Sequence, residues 1–288
     1  MGGMRIVAAF LAAAGLTLAP AVAAELTADE IMARVAANQE RSQSLRAAMV
    51  YEQEVLVRLI GAKRTFREER HLFTVTPTAR GTKKTLIRFE GKLRHKGEML
   101  PYAEPHYEHR DIDLDADLAE VLLDFVSGNS RDGIDDHLFP LSAKAQRNYN
   151  FHLLGEEELD GRQVYRIAFS PREKGIMELD DGRWKGEAFI HQEQFQPVYV
   201  TTDFAWQVPL AIRTLLGTNV KQVGFALHYQ EVEDGLWFPV SYGGEFRIRV
   251  LFFYGRTATI SMVNRAFQRT DVQSQMRFQE PEAGGVKP

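Results

Sequence analysis

The chain of 288 residues has no cysteine. Disulfides, thiolate metal ligands and a cysteine nucleophile are therefore excluded. So is a lipid carried on a cysteine, as in bacterial lipoproteins. Long apolar runs are also missing after the first two dozen residues. The densest later stretch is Val250 to Tyr254, and Arg249 and Arg256 flank it. A helix that crosses a bilayer needs about 20 apolar residues. Charge of one sign does not dominate either: 35 basic residues face 39 acidic ones, for a net charge of −4. That balance offers no footprint for nucleic acid. No G-x-S-x-G elbow, H-E-x-x-H helix, or Walker-type or dinucleotide-type glycine loop occurs. No cofactor is implied and no catalytic residue is nominated.

What is present begins at the N-terminus. Arg5 supplies a positive start, Ile6 to Leu18 is apolar, and Ala21-Val22-Ala23-Ala24 supplies small residues before Glu25. This is the order of a secretory signal peptide, with cleavage after Ala23 or Ala24. The reading divides the chain into a signal peptide over 1–24, one domain over 25–278 and a frayed Pro/Gly-rich tail over 279–288. It places the mature protein in the periplasm, soluble and without a lipid anchor. Stability must then come from the core alone, and roughly 260 residues suffice for one.

Thr27-Ala28-Asp29-Glu30 is a capping box that opens a helix, with Ile31, Met32, Val35 and Leu45 near one face. The polar stretch Gln39 to Ser44 puts the rest of that helix on the surface. Met49 to Ile60 then alternates apolar and charged residues, as a strand with one dry face does. Phe66 to Val75 and Thr85 to Glu90 repeat the alternation, with Ile87 and Phe89 on one side. Asp115 to Gly128 reads as a helix with Leu118, Val121, Leu122 and Phe125 at i, i+3, i+4 and i+7. A meander follows: 149–158 with 162–170 across Asp160-Gly161, 184–192 with 197–204, 223–231 with 236–242, and 245–254 with 257–266 across Gly255-Arg256. Between two of these strands, Trp206 to Leu216 reads as a short apolar helix or loop.

The expected fold is mainly β: a single large curved antiparallel sheet, or unclosed β-barrel, lidded by short helices. Three short helices cover such a sheet only in part, which leaves an apolar cavity on its concave face. A fully packed sandwich satisfies the same pattern. If the cavity exists, Leu118, Leu122, Phe125, Trp206, Ile212 and Leu215 are the residues expected to line or gate it.

Several stretches resemble a known family. L-T-A-D-E-I at the first helix, L-D-G-R-Q-V-Y-R-I from Leu159 to Ile167, W-K-G-E-A-F-I from Trp184 to Ile190 with Gln196-Pro197-Val198 after it, and D-G-L-W-F-P-V from Asp234 to Val240 are similar to the outer-membrane lipoprotein-sorting proteins, the LolA- and LolB-like lipid carriers. The resemblance spans roughly residues 25 to 270 and rests on hairpin signatures rather than chemical ones. It implies an unclosed barrel whose hollow is lidded by helices. It implies, too, a non-catalytic carrier of lipid or lipoprotein acyl chains that works with a membrane-bound transporter or receptor in outer-membrane biogenesis. None of the family's acyl-contacting residues aligns to a position here.

Two polar groupings leave other readings open. His106 and His109, with Glu108, Asp111, Asp113 and Asp115 nearby, offer metal-ligating types, so a periplasmic metal-dependent hydrolase is one alternative. A polar surface loop explains the same residues. Arg247, Arg249 and Arg256 suit a lipid head group beside a hollow, or simply an outward-facing row. An envelope structural or interaction protein that uses a strand edge is the third reading.

Overall fold

The structure is a computed structural model that describes residues 25–78, 81–109, 113–126, 139–172, 183–206, 219–250 and 254–270, with backbone only at 125–126, 183, 204–206, 219–223, 248–250 and 254. The signal-peptide and tail readings and most of the Trp206 to Leu216 segment lie outside these ranges.

Helix α1 runs Ala28–Arg46 behind the expected capping box. Strands β1 (Met49–Gly61), β2 (Arg64–Thr78), β3 (Gly81–His95) and β4 (Glu98–Tyr102) follow. Helix α2 (Leu114–Val126) and the short α3 (Ala143–Gln146) separate them from β5 (Tyr149–Leu159), β6 (Arg162–Pro171), β7 (Arg183–His191), β8 (Pro197–Trp206), β9 (Asn219–Glu233), β10 (Leu236–Val250) and β11 (Tyr254–Arg269). All eleven strands belong to one sheet in the order β4-β3-β2-β1-β11-β10-β9-β8-β7-β6-β5, and every adjacent pair is antiparallel. The first and last elements of the order do not pair, so the sheet stays open. The chain is a four-strand meander and a seven-strand meander joined by the β1–β11 ladder.

The period-two reading of β1 holds along its whole length: Met49, Tyr51, Gln53, Val55, Val57, Leu59 and Gly61 are buried and the residues between them are not. Directly paired residues share a face, so the ladders carry this buried, inner face outward to β2 and β3. Three local readings change. Residues 236–250 form one strand through Gly243-Gly244, not two. Val250 pairs with Tyr254, so Gly255 and Arg256 do not join the two strands but already belong to β11. On β3 a register shift sets Leu86, not Ile87, opposite Phe73, and leaves Ile87 58 % exposed. An extra residue on one strand turns the alternation over; composition alone does not announce it.

One apolar cluster joins α1 (Ile31, Met32, Val35), β1 (Val55, Val57, Leu59), α2 (Leu118, Ala119, Leu122) and inner residues of β5 to β11. A smaller cluster holds Met49, Tyr51, Val75, Leu236 and Phe238, with Phe73 packed against both.

Helix α1 corrects its own reading in two places. Leu45, placed on the dry face, is 43 % exposed, whereas the polar Gln39, Ser42 and Arg46 are buried. A polar seam explains this. Gln39 Nε2 donates to Gln196 Oε1 at 2.8 Å, Arg46 Nη1 donates to Gln39 Oε1 at 3.2 Å, and Asn38 Nδ2 donates to the Gln194 carbonyl at 2.6 Å. Buried polar groups are tolerated when paired in this way. The seam seats the helix on the β7–β8 turn.

Candidate functional site

The inner face of β2 is unusual in carrying charge. Arg67, Glu69 and His71 pair with Leu59, Val57 and Val55 of β1, so all three lie on the buried side. Arg67 is 1 % exposed, Glu69 5 % and His71 2 %. Three buried ionisable groups in succession require partners, and the segment from β4 to α2 supplies them. Arg67 Nη1 donates to Glu69 Oε1 (2.9 Å), to the Tyr102 hydroxyl (3.0 Å) and to the Tyr107 carbonyl (3.1 Å). Its Nη2 donates to Asp113 Oδ2 at 2.8 Å. The Tyr102 hydroxyl donates to Glu69 Oε1 at 2.7 Å, and His71 Nε2 lies 3.1 Å from Glu69 Oε2. Tyr102 reaches this position because Gly91, its partner on β3, has no side chain: a Cβ there would stand 2.2 Å from the Tyr102 ring.

The electrostatics close on themselves. Burial pushes the Glu69 carboxyl up, but hydrogen bonds from His71, Tyr102 and Arg67 outweigh it and hold the group below its ordinary value. Burial and the neighbouring Glu69 carboxylate raise the Tyr102 phenol. Both Glu69 oxygens are occupied by protein groups. The network fastens Tyr107 and Asp113 to the sheet.

It also fastens α2. Asp113 accepts from the Ala116 amide at 3.2 Å and so caps the helix, two residues ahead of Asp115, where the sequence pattern opens it. Asp115 pairs instead with Arg256, whose Nε and Nη2 donate to Oδ1 and Oδ2 at 2.8 and 3.0 Å. Arg256 also lies over the Phe66 ring, 4.0 Å from its centroid. It belongs to a latch, not to an outward row. Arg247, by contrast, is exposed and pairs with Glu245 at 3.3 Å. The side chain of Arg249 lies outside the described residues. Two arginine–aspartate pairs thus hold the N-terminal end of α2, while its apolar face lies on the core with Leu118 at 0 % and Leu122 at 2 % exposure.

The remaining cavity-or-lid residues divide as follows. Phe125 belongs to α2 and Trp206 closes β8, but neither side chain is described; Ile212 and Leu215 lie outside the described residues altogether. His106 and His109 find different partners. His109 Nε2 is 2.8 Å from His95 Nδ1, and His106 Nδ1 is 3.4 Å from Glu120 Oε2. Among the described residues no group of three metal-ligating side chains converges.

Under the two main helices the described inner face is filled by the chain's own side chains. It emerges at the margin beyond α2, on β2 and β3. There Phe73 and Phe89 are half-buried and Leu86 is 39 % exposed. A separate cleft of about 370 Å³ lies at the far end of α1, lined by Asn38, Arg41, Ser42, Gln194, Gln196 and Trp237 among others. It adjoins the polar seam rather than the apolar face. No described helix is long and apolar enough to cross a membrane.

Sequence reasoning missed the Arg67–Glu69–His71 run. A signal was there: R-E-E-R-H inside an alternating strand puts a charge on the dry face whichever register is chosen.

No family model matches the chain, and no curated protein does. Solved structures do match. A LolA superfamily protein from Nitrosomonas europaea is 10 % identical, over 86 % of this chain and 96 % of that one, with a TM-score of 0.34. A DUF1329 family protein from Desulfovibrio piger is 12 % identical over 86 % and 95 %, with a TM-score of 0.39. The lipoprotein LppX from Mycobacterium tuberculosis is 9 % identical over 82 % and 94 %, with a TM-score of 0.25. At such identities and scores these are likenesses of overall chain order, and the open eleven-strand sheet with helices on its inner face is established by its own ladders.

Proposed function

We propose that the protein is a non-catalytic periplasmic carrier that holds the acyl chains of lipids or lipidated proteins against the inner face of its sheet, with α2 as the lid. One observation carries this reading: the apolar inner face runs on past α2 and comes out, partly uncovered, at Phe73, Leu86 and Phe89. Eleven strands spaced about 4.8 Å apart form an arc of about 48 Å. The two main helices among the described residues, each about 10 Å across, shield less than half of it. In the closed form Leu118 and Leu122 occupy the place that an acyl chain would take. Ligand entry then exchanges one apolar partner for another. Each Å² of apolar ligand surface removed from water contributes about 25 cal/mol. Release requires a membrane or receptor that binds the chain more tightly.

The latch suits such a lid. It fixes one end of α2 by polar contacts that an acyl chain cannot compete for, so the helix pivots about that end rather than detaching. The carriers that the sequence resembles point to the same activity. The test is direct. Protein purified from an envelope fraction is extracted with organic solvent and the extract analysed by mass spectrometry; a lipid in stoichiometric amount is expected. A ligand-free extract, together with no uptake of a fluorescent acyl probe, would remove the proposal.

A further inference from the structure

Lys84 has no counterion among the described residues, although its surroundings are apolar. It pairs with Val75 on β2, and Val75 pairs with Tyr51 on β1, so the three share the inner face. Val75 and Tyr51 are buried at 0 % and 2 % in the smaller apolar cluster, with Met49, Leu236 and Phe238. The lysine stem lies along that cluster at the sheet margin and is half-buried. Other buried or half-buried cations of this face have partners: Arg67 has Glu69 and Asp113, Arg256 has Asp115, and Arg162 lies over the Trp237 ring, 5.2 Å from its centroid. Burial pulls the Lys84 ammonium down to about 8, and nothing offsets it. A charge that costs stability and meets no counterion among the described residues points to a ligand.

The apolar residues beside it define the rest of that ligand. Leu86 follows Lys84 on the same face, opposite Phe73, and Phe89 continues the line toward Tyr102, whose ring lies 5.6 Å away. From Lys84 to Phe89 the strand spans about 16 Å. The strip is therefore apolar along its length and positive at one end. We infer that this strip binds an anionic amphiphile, with its carboxylate or phosphate head on Lys84 Nζ and its acyl chain along Leu86, Phe73 and Phe89. The inference rests on the carrier reading and adds the class of head group and where it is held.

The experiment compares cis-parinaric acid with its methyl ester, by fluorescence, on the full mature chain. The acid is expected to bind the wild type more tightly than the ester. Lys84→Met should weaken the acid by about tenfold or more, since a hydrogen bond to a charged group is lost, and leave the ester unchanged. Lys84→Arg should restore the acid. Leu86→Ser should weaken both probes. Excess inorganic phosphate should displace neither. A thermal melt distinguishes misfolding from lost binding, because Lys84→Met is expected to be at least as stable as the wild type. Equal binding of acid and ester, or an unchanged Lys84→Met, overturns the head-group site while the carrier reading stands. Displacement by phosphate alone overturns the amphiphile in favour of a simple anion. Failure of every probe to bind overturns both.

Discussion

Single residues of β2 decide how the sheet accepts charge on its dry side. Glu69 is fully enclosed by Arg67, Tyr102 and His71. Removing one member of such a set leaves the others buried and unpaired, which costs about 3–5 kcal/mol. Glu69→Gln should therefore lose stability of that order in urea denaturation at neutral pH. Because the folded carboxyl lies below its ordinary value of 4.5, its contribution is complete above that value and fades as the pH falls through the folded one. The gap between wild type and Glu69→Gln should narrow in acid; a constant gap would refute the ionic account. For Lys84 it is the charged form that burial penalises. Its folded value is depressed from 10.5 to about 8, so the unfolded chain binds the extra proton between the two. Stability should rise across that window relative to Lys84→Met, and a flat difference would show that burial does not penalise the ammonium.

Elements were legible in the sequence where one periodicity ran unbroken. The thirteen residues of β1 alternate without a fault, and the capping box fixes the start of α1. The sequence was opaque wherever a partner lay far along the chain. Gln39 is polar, so its half of α1 read as surface; it is buried because Gln196, 157 residues away, accepts its amide. The latch on α2 had no local signal, since Arg67, Asp113, Asp115 and Arg256 come from three separate regions. Ile87 was misplaced because a register shift has no composition of its own. The apolar face of α2 was read correctly at Leu118 and Leu122, and its weight can be measured: Leu118→Ala should cost about 2–5 kcal/mol. Asp115→Asn, which loosens the clamp but leaves the core intact, should instead raise hydrogen exchange in the first turns of α2 and speed uptake of an acyl probe. Unchanged exchange there would mean that Arg256 is not a latch.

At the scale of the whole molecule, the sheet's openness matters most. A closed barrel has no margin, and a sandwich buries both inner faces under a second sheet. Here the described residues form one sheet of eleven strands with two helices and one very short one on an apolar face wider than they are. On the carrier reading proposed above, Leu118 and Leu122 fill part of that face in the closed form and a ligand fills it in the bound form; both forms keep the latch and differ by the pivot of α2.

That pivot is measurable, since a chain without cysteine accepts two introduced thiols with no background labelling. Glu120 on α2 and Lys185 on β7 are both exposed. Spin labels on Glu120→Cys and Lys185→Cys, read by double electron–electron resonance with and without oleate, should show a second, longer distance that grows with oleate and disappears on its removal. A single unchanged distance at saturating, demonstrably bound oleate would contradict the account, because the ligand would then occupy the protein without displacing α2.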